Sequence, residues 1–240
     1  MKHATLSASG AHRWMLCSGS VMLEKDMPDV ESFYAKEGTA AHALGELCLT
    51  KQRPPEKYIG TTIEGFDVDS EMAHHVATYV DFCNVKKGKE HFVELRVDFS
   101  KYADGGFGTA DFVTVDEGVL SICDLKYGMG VRVNAAENAQ LMLYGLGALS
   151  KFSPDEVDAV EMNIVQPRLD HISTYTLRAK DLIEWGETIV RPAAKRALSG
   201  DPMFVAGETQ CRWCKAKPVC KTVAKKNYEV TLSMFDDLDA

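Results

Sequence analysis

The sequence predicts a mixed α/β fold, a central sheet flanked by helices, on three observations. Residues 108–126 form two β-rich runs around Asp116-Glu117-Gly118. Residues 157–177 hold two more alternating runs, and helical patterns precede, separate and follow these strands. With 240 residues, 45% of them hydrophobic, the chain can bury one substantial core. No low-complexity stretch divides it, so residues 1–240 are expected to form a single domain.

The elements follow in order. A first helix passes through Trp14 and Cys17, and a second is expected from about Thr39 to Lys51, carrying His42 and, one turn on, Glu46. After Pro54-Pro55, residues 69–84 read as a helix and Phe92 to Phe99 as a strand. The paired runs 108–115 and 119–126 come next, then an apolar helix through Gln140 and Tyr144. Strands at 157–166 and 171–177 follow. A helix from Ala179 to Leu198 ends the core, with Leu182, Ile183, Trp185, Ile189 and Val190 on its packing face and Pro192 interrupting it. The order α-α-α-β-β-β-α-β-β-α suits a mixed sheet between helical layers.

The hairpin carries the chemistry. With Glu117 and Gly118 as loop residues, Asp116 pairs with Val119, and counting back places Asp111 opposite Asp124. Opposed side chains share a face, about 5 Å apart. That face also carries Val113, Val115, Leu120 and Ile122, with Lys126 one step beyond Asp124. Two carboxylates at the end of an apolar row repel each other and lose solvation, and one lysine supplies one compensating charge. A divalent cation would resolve the imbalance; acids on a solvated rim are the simpler alternative. On the next helix Gln140 and Tyr144 lie four apart on one face, either as core-edge residues or as part of the same site. His42 by itself reads as a satisfied core histidine on a helix of small residues. Glu94, in the alternating run from Phe92 to Val97, reads equally as a site residue or a solvated one. Arg168 and His171, between the late strands, could reach a substrate.

Seven cysteines form an odd set, and no apolar segment follows a basic one at the N-terminus, so a disulfide framework is not expected. Cys211, Cys214 and Cys220 crowd one Pro-containing loop, and three ligands in one loop call for a fourth, with Cys17 far upstream. Zinc and a [4Fe-4S] cluster both accept four thiolates. Cys48, Cys83 and Cys123 sit in apolar runs as small hydrophobes.

The formal net charge of -8 argues against a protein that coats nucleic acid non-specifically, since phosphate neutralisation supplies most such affinity. A local basic strip holds Arg212, Lys215, Lys217 and Lys221, either tracking a DNA backbone or lying on a solvated helix. The tail, residues 229–240, ends acidic and could recruit a protein partner or fray. No run approaches a membrane span, so a cytoplasmic protein without membrane contact is expected.

Four motifs occur in order: Gly38-Thr39-Ala40-Ala41-His42, Gly108-Thr109-Ala110-Asp111, Asp124-Leu125-Lys126 and Gln140-Leu141-Met142-Leu143-Tyr144. In this the chain resembles the PD-(D/E)XK nuclease superfamily, in its RecB-like branch with AddB, exonuclease V and the CRISPR-associated RecB-like nucleases, and the stretch from Leu6 to Trp14 suggests a phage-borne member. The resemblance implies a restriction-endonuclease-like core. It implies Mg²⁺ or Mn²⁺ on His42, Asp111, Asp124 and the Leu125 backbone carbonyl, with Lys126 orienting water and Gln140 and Tyr144 holding substrate or water. It also favours a [4Fe-4S] cluster over Zn²⁺ on Cys17, Cys211, Cys214 and Cys220, with residues 1–30 and 205–228 as the cluster-binding regions. The implied activity is a DNA exonuclease acting on ends or single strands in phage replication or recombination. The alternative is a non-catalytic iron-sulfur or zinc module for DNA binding or assembly.

Overall fold

Glu117 and Gly118 adopt left-handed backbone conformations, φ 46° and 78°, and close the hairpin at Asp116↔Val119 as its spacing demands. The computed structural model describes residues 4–28, 32–152 and 156–236. Around that hairpin, formed by β4 (Phe107–Asp116) and β5 (Val119–Leu125), lies a five-stranded sheet with β3 (Glu90–Asp98), β6 (Ala159–Gln166) and β7 (His171–Arg178). The spatial order is β3-β4-β5-β6-β7, antiparallel except where β5 pairs with β6. A parallel neighbour needs a crossover, and α5 (Ala139–Leu149) supplies it. The Asn138 side chain caps α5, accepting from the backbone N–H groups of Gln140 (3.1 Å) and Leu141 (3.2 Å).

The core has one part on each face of the sheet. On one, Val113, Leu120 and Ile122 pack with Leu141, Leu143 and Leu182, all fully buried. Each such side chain contributes about 1.5–3 kcal/mol of transfer free energy. On the other, Phe112, Cys123 and Leu125 meet α3 (Phe33–Lys51) and α4 (Ser70–Lys86). Cys48, Cys83 and Cys123 are buried there as small hydrophobes, and burial pushes the Cys48 thiol up to about 12.

Several boundaries differ from the sequence reading. The His42 helix begins at Phe33, six residues before Thr39, because Ser32 caps it by accepting from the Ala35 N–H at 3.1 Å. The N-terminal helix is two short ones, α1 (Ala11–Trp14) and α2 (Gly19–Glu24), with Cys17 in the turn between them. A small hairpin, β1 (Thr62–Ile63) and β2 (Phe66–Asp67), turns on left-handed Glu64 and Gly65. The helix expected from Ala179 to Leu198 divides into α6 (Ala179–Trp185), a π-turn at Gly186–Val190 and α7 (Arg191–Ala197). Pro192 stands in the first turn of α7, where its missing N–H costs least. After α8 (Glu208–Cys211), α9 (Lys221–Asp236) runs straight across the expected start of a separate tail at residue 229; the tail's last four residues, 237–240, lie outside the described residues. Among the described residues no helix is long and apolar enough to cross a membrane.

Candidate functional site

Asp111 is the hub. The β4–β5 register runs to Phe112↔Cys123, and one step further the Asp111 carboxylate accepts the Leu125 backbone N–H at 2.8 Å. Its other neighbour is Glu94. The β3–β4 pairs Val93↔Phe112 and Leu95↔Ala110 bracket these two residues, and Glu94 itself is left-handed, φ 50°. From α3, His42 Nδ1 reaches Asp111 Oδ2 at 3.2 Å. One ligand atom each from His42, Glu94 and Asp111 lie within 4.8 Å of one another.

A second group lies alongside. Lys126 Nζ is 2.7 Å from Asp124 Oδ2 as an ion pair and donates to Gln140 Oε1 at 3.0 Å. Gln140 Nε2 donates to Tyr144 Oη (3.0 Å) and, longer, to Asp124 Oδ1 (3.4 Å). The four-residue spacing on α5 thus puts both polar side chains on one chain of hydrogen bonds. Gly108 makes room for it, since a Cβ there would stand 2.7 Å from Tyr144 Cε1.

Charge here is concentrated and poorly solvated. The Asp124 side chain is 2% exposed, and burial, with Asp111 nearby, raises its pKa despite Lys126. Burial also acts to raise Asp111, but His42, Lys126 and the Leu125 N–H together hold it below the usual carboxylate range. For His42 burial disfavours the imidazolium, yet Asp111 outweighs it and lifts the ring to about 9. Glu94 rises to about 7, first from burial and then from Asp111. The two acids Glu94 and Asp111, pressed together, make a place for a cation. Two carboxylates and an imidazole are a donor set suited to Mg²⁺ or Mn²⁺.

Of the residues singled out from sequence, His42, Asp111, Asp124, Lys126, Gln140 and Tyr144 all converge. The trio holds Glu94, which the motifs did not include, while Asp124 stands beside it paired with Lys126. The main chain of Leu125 follows Asp124 at the end of β5, with its N–H on Asp111. Glu46 is exposed and acts on Glu94 only through its charge. Arg168 and His171 are anchors. Arg168 bonds Glu37 (2.8 Å) and stacks over Tyr127, while His171 Nε2 lies 2.9 Å from the Val133 carbonyl oxygen.

A model of the family DUF2800, proteins of unknown function, matches residues 3–239. The chain belongs to that family. Among the solved structures similar to this DUF2800 chain are two of low sequence identity. One is SSO0001, with 13% identity over 92% of this chain and 88% of that one, TM-score 0.39. The other is a "Putative exonuclease" from Eubacterium rectale, with 12% identity over 90% and 88%, TM-score 0.46. Likenesses that slight bear on neither mechanism nor substrate.

The cysteine region of this DUF2800 member joins the two ends of the chain. Cys17 Sγ accepts the Val205 N–H at 3.4 Å, and Cys211 Sγ lies 4.0 Å from the Val205 carbonyl oxygen, so two sulfurs 194 positions apart flank one residue. Arg13 donates to the Trp213 carbonyl (3.2 Å), and Glu24 accepts the Lys215 N–H (2.7 Å). Cys214 is partly buried beside Glu24, and burial pushes its thiol up. Cys220 sits at the end of a short 3₁₀ turn, before α9. Arg212, Lys215, Lys217 and Lys221 are exposed along this region.

Proposed function

We propose that this chain is a divalent-metal-dependent deoxyribonuclease, hydrolysing phosphodiester bonds at DNA ends or in single strands. The observation that carries the reading is the meeting of His42, Glu94 and Asp111 within 4.8 Å beside the Asp124–Lys126–Gln140 group. The ordered motifs of the RecB-like branch support it independently.

In this reading His42, Glu94 and Asp111 hold Mg²⁺ or Mn²⁺, with Asp124 and the Leu125 carbonyl completing the set. The ion, when bound, supplies Lewis acidity to the phosphoryl group and lowers the pKa of water. The protein's residues do the rest. An ammonium has three N–H donors. Lys126 directs toward Asp124 and Gln140 and keeps one for an attacking water. Asp124 holds Lys126 in place through their ion pair. Tyr144 accepts from Gln140, which leaves its own O–H to donate to a phosphate oxygen. Water adds to phosphorus as the P–O ester bond breaks, and the proton the water gives up balances the one taken up by the departing oxygen. The products are a phosphomonoester and an alcohol.

Cys17, Cys211, Cys214 and Cys220 hold a [4Fe-4S] cluster that ties the N-terminal turn to the C-terminal loop, with Zn²⁺ as the alternative occupant. The convergence of Cys17 and Cys211 on Val205 supports it. Ligation there stabilises the fold.

The test is cleavage of labelled single- and double-stranded DNA with Mg²⁺, Mn²⁺ or EDTA, beside Asp111→Ala and Asp124→Ala. Metal-dependent cutting that both substitutions abolish supports the reading. Equal cutting by wild type and variants overturns it.

A further inference from the structure

A groove of about 1010 Å³ begins at Lys126 and Gln140 and extends to Arg212 and Trp213 on the cysteine loop. Its size is at the top of the ~300–1,000 Å³ range of small-molecule pockets, which points to an extended occupant. We infer that this groove seats a single DNA strand whose unpaired bases stack on Trp213 while Arg132 and Arg212 hold its phosphates. The inference rests on the nuclease reading above and names the path by which substrate reaches that site.

Both walls are built in advance. One is the segment after Lys126, pinned by the buried Gln166, which donates to the Gly128 (2.7 Å) and Val131 (2.8 Å) carbonyls and accepts the Val133 N–H (3.0 Å). Ser173 accepts the Ala135 N–H at 2.9 Å, fixing the same wall further on. The opposite wall is the cysteine loop, whose backbone Arg13 and Glu24 hold at Trp213 and Lys215. A fixed backbone there presents an indole that is 64% exposed. Holding so large an apolar face in water, on an anchored loop, suits a stacking platform.

The chemistry favours an unpaired strand. Arg132 and Arg212 line the groove, but so do Glu137, Asp181 and Glu208, and the chain as a whole carries -8. Arg178 pairs with Asp181 at 2.7 and 2.8 Å, which offsets one of the acids. Phosphate neutralisation alone therefore supplies little affinity. Most of the remaining lining is aromatic or aliphatic, with Leu16, Val131, Met142, Trp185 and Ile189 among it, beside the polar Ser9, Asn134, Asn138 and Thr209. Base faces match that lining, and a duplex hides them. Continuity with Lys126 and Gln140 gives the strand a destination.

The experiment measures binding of a fluorescein-labelled oligothymidylate of about 15 nucleotides, and of a duplex of equal length, by anisotropy in EDTA. Hydrolysis of the oligonucleotide and of bis(p-nitrophenyl) phosphate is followed with Mn²⁺. Trp213→Ala should weaken single-strand binding about tenfold, and Trp213→Phe should restore most of it. KM for the oligonucleotide should rise with little change in kcat, and the loss on the oligonucleotide should exceed the loss on the small diester. Arg132→Ala, on the facing wall, should weaken binding and reduce the salt slope by about one. Single-strand binding by Trp213→Ala and Arg132→Ala equal to wild type, or tighter binding of the duplex, overturns the inference while leaving the nuclease reading intact. Wild type that cuts neither substrate sinks the nuclease reading, and the binding arm still decides the groove.

Discussion

Glu94 stands opposite Asp111 across the β3–β4 pair, in a left-handed backbone conformation that interrupts an otherwise regular strand. A glutamate has no local gain from φ 50°, so the surrounding structure must impose it, and such strain concentrates at functional sites. The consequence is that the third donor of the candidate metal site comes from β3, beside the two motif-bearing strands.

Glu94→Gln keeps the shape and removes the charge. Mn²⁺ affinity of this variant, measured by isothermal titration calorimetry, should fall at least ~10-fold, and Asp111→Asn should fall at least as far. Glu46→Gln, which alters an exposed residue, should change affinity little.

The metal-free protein should lose stability as pH rises. His42 is raised from 6.5 to about 9 and Glu94 from 4.5 to about 7, and both therefore bind protons more tightly when folded. Such groups stabilise fully below their unfolded pKa values and lose that contribution as pH climbs through the folded ones. Asp111, held low, contributes evenly across this range. Melting temperature in EDTA should decline between about pH 5 and 9, and Mn²⁺ should reverse the decline. A flat profile in both conditions contradicts the arrangement of charges.

Gly108→Ala places a methyl against the Tyr144 ring and should cost about 1–3 kcal/mol in chemical denaturation. Adding Tyr144→Ala removes the ring the methyl meets. The double variant should therefore lose less than the sum of the two single losses.

Protein purified without oxygen should be brown and carry iron and acid-labile sulfide. Cys214→Ser should lower iron content, melting temperature and solubility, whereas Asp124→Ala should keep its iron. Colourless protein with stoichiometric zinc selects the other occupant of the cysteine site.

The hairpin register is legible because Glu117-Gly118 permits so short a turn, and the turn then dictates the pairings from Asp116↔Val119 to Phe112↔Cys123. Gln140 and Tyr144 were legible for the same reason, since helical periodicity leaves four-apart side chains no choice of direction. Glu94 was ambiguous. Alternation along Phe92–Val97 says which residues share a face, but a single left-handed residue changes where one side chain goes, and nothing in the local sequence announces it. The helix start at Phe33 was obscured by Gly38, a poor helix former inside α3, and hung on the Ser32 cap. Arg168 and His171, placed between the late strands, read as residues able to reach a substrate; contacts with Glu37 and Val133, distant in sequence, make them anchors. The sequence offers α9 only as the solvated-helix alternative for its basic start, and Tyr228, Leu232 and Phe235 along it are exposed.

The most direct measurement is an anomalous difference map from crystals soaked in Mn²⁺. A peak within bonding distance of Asp111, Glu94 and His42, with Lys126 still paired to Asp124, is the predicted result. Density showing these side chains turned apart, with manganese absent from between them, contradicts it.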